Sequence, residues 1–367
     1  MILSIQYLRG IASLLVVLFH YKFVLNDTYA QKDIGDLMFG NGYLGVDLFF
    51  MISGFVILAS TEKDKSCSSF AIKRFFRIYP VYLFCLISYC VLMSISFTEG
   101  MKFIKALFLI NLDYNAEAPW FGFSIVYTAW TLTYEVIFYL IFMTAMTINH
   151  KYRSAICSLI ILSLYLLLNL SFNDGLHLSP NPSINLPSSL DNFGLLKILA
   201  SPMMIEFIIG MLLYNAYSIA KKSDIQTGNR NSVLLIGILL IVYFYSSGYN
   251  GGHGIANVGF YCLALLSCAL YFEVKGGMPF IKPLNFLGNI SYSLYLIHPV
   301  VMDALHTYSM TFPSYAKTQG FSKLLYMMSV SIITSAIMYK YIELPFFSLA
   351  RKIINKNPSI KAESIKS

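Results

Sequence analysis

Six ionisable residues, Arg9, His20, Asp47, Glu135, Glu206 and His298, lie inside runs of hydrophobic residues. Burying charge in hydrocarbon is costly, so each is a functional candidate by default. Arg9 and His20 are eleven positions apart in IQYLRGIASLLVVLFHY. On a helix that spacing puts them on nearly one face and about 16 Å apart along the axis. A buried imidazole suits general-base work, and a carboxylate at the same depth, Asp47 or Glu135, would orient it and stabilise its protonated form. His298 closes a second stripe: Ser291, Tyr295 and His298 recur at i, i+4 and i+7 in SYSLYLIHP, which suits either a channel lining or an interhelical ladder of hydrogen bonds. Ser53 and Gly54, small residues in GYLGVDLFFMISGF, admit close helix packing or a threaded ligand. Glu206 reads as a carboxylate near a helix end, where solvation makes it cheap. Arg74 and Arg77 share a face three residues apart in KRFFRIYP and present two planar forks suited to phosphate. Ordinary basic anchoring at a membrane surface serves that cluster equally well.

The elements that position these residues follow from composition. With 57% hydrophobic and 12% charged residues, the chain lies far from a soluble domain, where about a quarter of residues carry charge. The expected fold is all-α, a polytopic transmembrane helical bundle. Apolar length and punctuation predict about ten spans, at 7–25, 44–60, 79–97, 127–148, 155–171, 199–219, 233–247, 255–272, 290–308 and 323–341. The first reads as a retained signal anchor, having neither a basic leader nor a small-residue cleavage pattern. The run 101–112, with Lys102 and Lys105, reads as an interfacial helix. Alternate loops hold seventeen basic residues against six, which places both termini in the cytoplasm. The net charge of +8 is then a matter of topology and needs no nucleic acid. Residues 173–190, rich in Pro, Asn and Ser, read as an irregular outer loop. Five cysteines (Cys85, Cys90, Cys157, Cys262 and Cys268) fall in apolar segments and Cys67 in a basic loop, with no metal-ligand spacing; buried small hydrophobes are the better reading, with no metal expected.

Seven segments in order, IQYLRGIASLLVVLFHY, GYLGVDLFFMISGF, KRFFRIYPVYL, WTLTYEVIFYL, IEFIIGMLLY, SYSLYLIHPVV and YIELPF, resemble the membrane acyltransferase-3 family of bacterial surface-polysaccharide O-acyltransferases. The resemblance implies an enzyme of the bacterial inner membrane, in contact with membrane lipids. It would move an acyl group, by default acetyl, from cytoplasmic acetyl-CoA to a hydroxyl of a polysaccharide or lipid-linked glycan, with O-antigen the first choice. It also implies Arg9 and His20 as an essential pair, Arg74 and Arg77 as holders of the CoA phosphates, Asp47 and Glu135 as polar members of the core, and His298 as part of the last histidine motif. The match is to the stand-alone subgroup, with a membrane domain over 1–345 and a basic cytoplasmic tail over 346–367.

On this reading the adenine nucleotide end docks at Arg74 and Arg77 with Arg9 nearby, and the pantetheine arm rises toward His20. There His20, held by Glu135 or Asp47, acts as base on the acceptor hydroxyl, or itself carries the acetyl group in relay. Ser53, Tyr295 and His298 line the channel. The competing class is a proton-coupled transporter or flippase, in which the same ionisable groups form a relay or substrate path without consuming acyl-CoA.

Overall fold

The computed structural model describes residues 2–95, 100–173, 175–223, 230–247, 251–274 and 276–357. The predicted helix end at 97 and the basic residues Lys275, Lys361 and Lys366 lie outside them. The main helices are α1 (Leu3–Tyr21), α2 (Leu44–Ser60), α3 (Cys67–Leu92), α4 (Gly100–Leu107), α5 (Trp130–Ile148), α6 (Arg153–Phe172), α7 (Met203–Lys222), α8 (Arg230–Ser246), α9 (Val258–Val274), α10 (Lys282–Thr307), α11 (Gly320–Met338) and α12 (Leu344–Lys356). Among the described residues there is no strand.

Seven helical segments of the described residues are long and apolar enough to cross a membrane: those built on α1, α2, α3, α5, α6 and α7, and the continuous α11–α12 segment. The protein is a multi-pass membrane protein. The other three expected spans correspond to α8 and α9, at 17 residues each, and to α10. With 26 residues α10 is long enough, but its serines, tyrosines, asparagines and histidines make it too polar. Residues 290–301 of α10 are buried at every position, so it is an interior helix that presents no apolar stripe to lipid there.

Two glycine pairs mark close approaches between helices. A Cβ on Gly10 of α1 would lie 2.8 Å from the backbone nitrogen of Gly288 on α10. Gly54 of α2 and Gly210 of α7 sit against each other's helix, with no room for a Cβ beside the carbonyls of Phe207 and Met51. Small residues of this kind bring helix backbones together where lipid offers no hydrophobic drive. α1, α2, α7 and α10 thereby form the centre.

The third span differs from expectation. α3 begins at Cys67, twelve residues before the predicted start at 79, because Ser66 caps it. The Ser66 Oγ accepts from the Ser69 amide at 3.2 Å, satisfying an otherwise orphaned donor. Asp64 reinforces the start, accepting from Ser69 Oγ at 2.6 Å and pairing with Lys73 at 2.5 Å. Arg74 and Arg77 therefore sit inside the helix and not at its beginning. The stretch expected to be interfacial is helical over Gly100–Leu107, and Lys105 Nζ then donates to the Leu112 carbonyl at 2.8 Å. All six thiols are free.

Candidate active site

Three arginines converge on a cavity of about 270 Å³ lined by α1, α2, α3, α5 and α10. The close α1–α10 crossing brings Arg9 beside Ser291, Tyr292 and Tyr295, while Ser53, Thr131, Glu135 and Tyr139 supply the facing wall. Arg77 is held firmly. Its Nη1 lies 2.6 Å from Glu343 Oε1, and the second oxygen of Glu343 accepts from Ser293 Oγ at 2.9 Å. Glu343, only 1% exposed, ends the π-helical turn Tyr339–Glu343 between α11 and α12, a local widening often found at functional sites. Arg74 donates from Nη2 to Ser60 Oγ at 2.7 Å and lies 5.3 Å from the ring centres of Phe70 and Tyr139. Its buried Nε finds no partner among the described residues.

Among the described residues Arg9 has a single long hydrogen bond, 3.5 Å from Nη1 to Gln6 Oε1, and its charged neighbours are Arg77, Glu343 and Glu135. Glu135 Oε1 accepts from Ser53 Oγ at 3.1 Å and from the Tyr139 hydroxyl. Even with both carboxylates ionised, three guanidiniums outnumber them. The cavity therefore favours an anion.

A second cavity, of about 1080 Å³, contains His20. The hydrogen-bond network assigns the ring protons. His298 Nδ1 lies 3.1 Å from the Leu294 carbonyl, which can only accept, so Nδ1 carries the hydrogen and Nε2 keeps a lone pair. His20 Nδ1 lies 2.9 Å from the Val16 carbonyl and 3.1 Å from that His298 Nε2. With two acceptors facing it, His20 Nδ1 is the donor. The lone pair of His20 is thereby left on Nε2, the arrangement a general base requires. The Tyr127 ring packs 5.1 Å from His20, and its buried hydroxyl has no partner among the described residues.

The two cavities share Val46 and Tyr295 in their walls. The Tyr295 hydroxyl donates to the Thr128 carbonyl at 3.0 Å and lies 3.0 Å from Thr131 Oγ1. Its ring thus stands between the arginines and the histidines.

The structure brings Arg9, Ser53, Arg74, Arg77, Glu135 and Tyr295 to one cavity and His20 to the other, with His298 against it. It does not bring either expected carboxylate to His20. Glu135 turns to Ser53 and Tyr139, and Asp47, fully buried, accepts from His253 Nδ1 at 2.6 Å and from the Gly254 amide at 2.7 Å. The partner of His20 is His298. Glu206, expected near solvent, is fully buried next to Asp47. Ser291 donates back to its own helix at Gly288, 2.9 Å away. Two residues escaped the sequence reading. Glu343 stood in view as the carboxylate of YIELPF, and His253 as the one side chain able to bond amid the glycines of GGHG. Among the described residues no three His, Cys, Asp or Glu side chains group as metal ligands would.

Residues 2–340 match the acyltransferase domain family. The chain belongs to the acyltransferase-3 family. Among curated relatives, it is 26% identical over 388 residues to the Staphylococcus aureus (strain COL) protein named "Putative O-acetyltransferase SACOL0978", covering 96% of this chain and 58% of that one. It is 27% identical over 346 residues to the O-acetyltransferase OatA of Staphylococcus aureus (strain NCTC 8325 / PS 47), covering 83% and 52%. It is 21% identical over 269 residues to the exopolysaccharide production protein ExoZ of Rhizobium meliloti (strain 1021), covering 72% and 78%. The chain thus spans a little over half the length of the two Staphylococcus aureus relatives. No solved structure matches it. The family match runs through every helix that lines the two cavities.

Proposed function

We propose that this chain is an O-acyltransferase of the bacterial cytoplasmic membrane that moves acetyl from acetyl-CoA to a hydroxyl of a surface polysaccharide. One observation carries the reading: an arginine-lined cavity and a histidine-lined cavity meet at Val46 and Tyr295. The names of the relatives, O-acetyltransferase and exopolysaccharide production protein, supply the class of donor group and acceptor. The distribution of basic loops supports a cytoplasmic face for the arginine cavity.

Arg9 and Arg74 bind the phosphates, and Arg77, tied to Glu343, fixes the wall beside them. Tyr295 holds the passage between the cavities narrow and excludes water from it. His20 Nε2 takes the proton of the acceptor hydroxyl, and the hydrogen bond from its Nδ1 to His298 strengthens as the ring becomes positive. Acetyl-CoA supplies the acyl group as a thioester, whose C–S bond breaks as the acceptor's C–O bond forms and whose sulfur leaves with the proton that His20 returns. The reading is tested by comparing mass spectra of surface glycans from cells with and without the gene. An acetyl-sized increment lost on deletion and restored by the wild-type gene, but not by His20→Ala, supports it; identical spectra refute it.

A further inference from the structure

The chain has two tryptophans, and both, Trp120 and Trp130, line the histidine cavity. They meet edge to face, with ring centres 6.4 Å apart and planes at 81°. Phe123 packs against Trp120 in a parallel stack, with ring centres 5.8 Å apart and planes at 5°. Trp120 belongs to a loop that is fixed before any ligand arrives. Backbone bonds join Leu112 to Phe123 at 2.9 Å and Asp113 to Phe121 at 3.0 Å, and the Tyr134 hydroxyl donates to the Pro119 carbonyl at 3.0 Å. In the corner of the two indoles sits His253, its ring 6.2 Å from Trp120 and 5.8 Å from Trp130. Asp47 takes its Nδ1 and anchors the next residue through the Gly254 amide. That leaves Nε2 as the nitrogen able to bond a ligand. None of these contacts reaches His20, so the proton transfer assigned to His20 does not use them.

The geometry points to an acceptor subsite in this corner: a sugar ring stacks on Trp120, which Phe123 backs, and His253, positioned by Asp47, bonds one of that sugar's hydroxyls. A pyranose presents a face of C–H groups with slight positive charge, which suits the negative face of an indole, and its hydroxyls lie at the ring's edge, where His253 stands. A polar group built to bond a hydroxyl rejects sugars that lack it at that position. Asp47 and His253 thus serve recognition, while His20 and His298 serve proton transfer.

This inference rests on the proposed acyl transfer, and its test separates the two. The full chain in lipid nanodiscs is given acetyl-CoA and, as acceptor probe, the surface polysaccharide extracted from cells that lack the gene. With a nanodisc belt protein that carries no tryptophan, tryptophan fluorescence reports the corner alone, because the chain has no other. The expected result is saturable quenching by the polysaccharide in wild type, with Trp120→Ala and His253→Ala each raising the polysaccharide KM at least tenfold. The acetyl-CoA KM and kcat stay within about threefold, and the milder Trp120→Phe, which keeps an aromatic face, recovers most of the binding. Quenching without any transfer leaves the subsite standing and removes the proposed reaction. Transfer without quenching, with an unchanged polysaccharide KM in both alanine variants, overturns the subsite. A His253→Ala defect confined to kcat also overturns it, by making His253 a proton carrier. Absence of both quenching and transfer overturns both proposals.

Discussion

His298→Gln isolates the contribution of the histidine pair to catalysis. In the resting protein His20 Nδ1 shares its hydrogen between the Val16 carbonyl at 2.9 Å and His298 Nε2 at 3.1 Å. Losing His298 leaves Val16 in place, so the tautomer survives and Nε2 keeps its lone pair. The loss falls on the protonated state of His20, whose Nδ1–H bond is charge-assisted and worth about 1.5–3 kcal/mol. That corresponds to a kcat lower by roughly 10- to 150-fold. It is smaller than the ~10⁴-fold loss seen where a triad's orienting carboxylate is replaced and the wrong tautomer results. The assay is transfer of radiolabelled acetyl to polysaccharide by purified protein, with kcat and both KM values measured for His298→Gln, His20→Ala and the double variant. Because His298 acts only through His20, the double variant is expected to match His20→Ala alone. Independent, multiplying losses in the double variant would refute the pairing, as would a His298→Gln enzyme with wild-type kcat.

Arg9→Gln and Arg74→Gln each remove a charge-assisted contact worth about 1.5–3 kcal/mol, so each is expected to raise the acetyl-CoA KM tenfold or more with little change in kcat, read by initial rates. Arg77→Gln behaves differently, because it strands Glu343 at 1% exposure. Removing one partner of a buried pair costs about 3–5 kcal/mol, and thermal unfolding in detergent should show a large fall in Tm that Arg77→Gln/Glu343→Gln largely recovers. Gly54→Ala forces a Cβ against the Phe207 carbonyl. Overpacking of that kind costs about 1–3 kcal/mol, and the same unfolding assay should register it, while Gly40→Ala, which meets nothing within 4 Å, should leave Tm unchanged.

The sequence makes depth legible and leaves azimuth open. Helical period alone puts Arg9 and His20 on one stripe of α1, and the structure sets them in adjoining cavities at the two ends of that stripe. Counting residues also puts Asp47 and Glu135 near the level of His20, but depth does not say which way a side chain points. The contact of α2 with α7 and α9 turns Asp47 to His253, and Ser53 with Tyr139 draws Glu135 away. The partner came instead from α10, whose place at the centre depends on the Gly10–Gly288 crossing. Residues distant in sequence set that register, and no local pattern records it. Glu206 was misplaced for a related reason: α9 lies across it, with Gly259 so close that an added Cβ would stand 2.8 Å from its Oε1. The start of α3 was legible in principle, since Asp64 and Ser66 before SSFAIKRFF form a capping signal, but the apolar run from Tyr79 masked it.

On the proposed function, acyl groups pass from the arginine cavity to the histidine cavity, and so from one membrane face to the other. The most direct measurement of this transfer uses sealed proteoliposomes containing the full chain, with radiolabelled acetyl-CoA trapped inside and polysaccharide from cells lacking the gene added outside. Label is expected on the external polysaccharide with wild-type protein, and none with His20→Ala protein inserted to the same level. Label that appears only when acetyl-CoA and polysaccharide share the same compartment would contradict it.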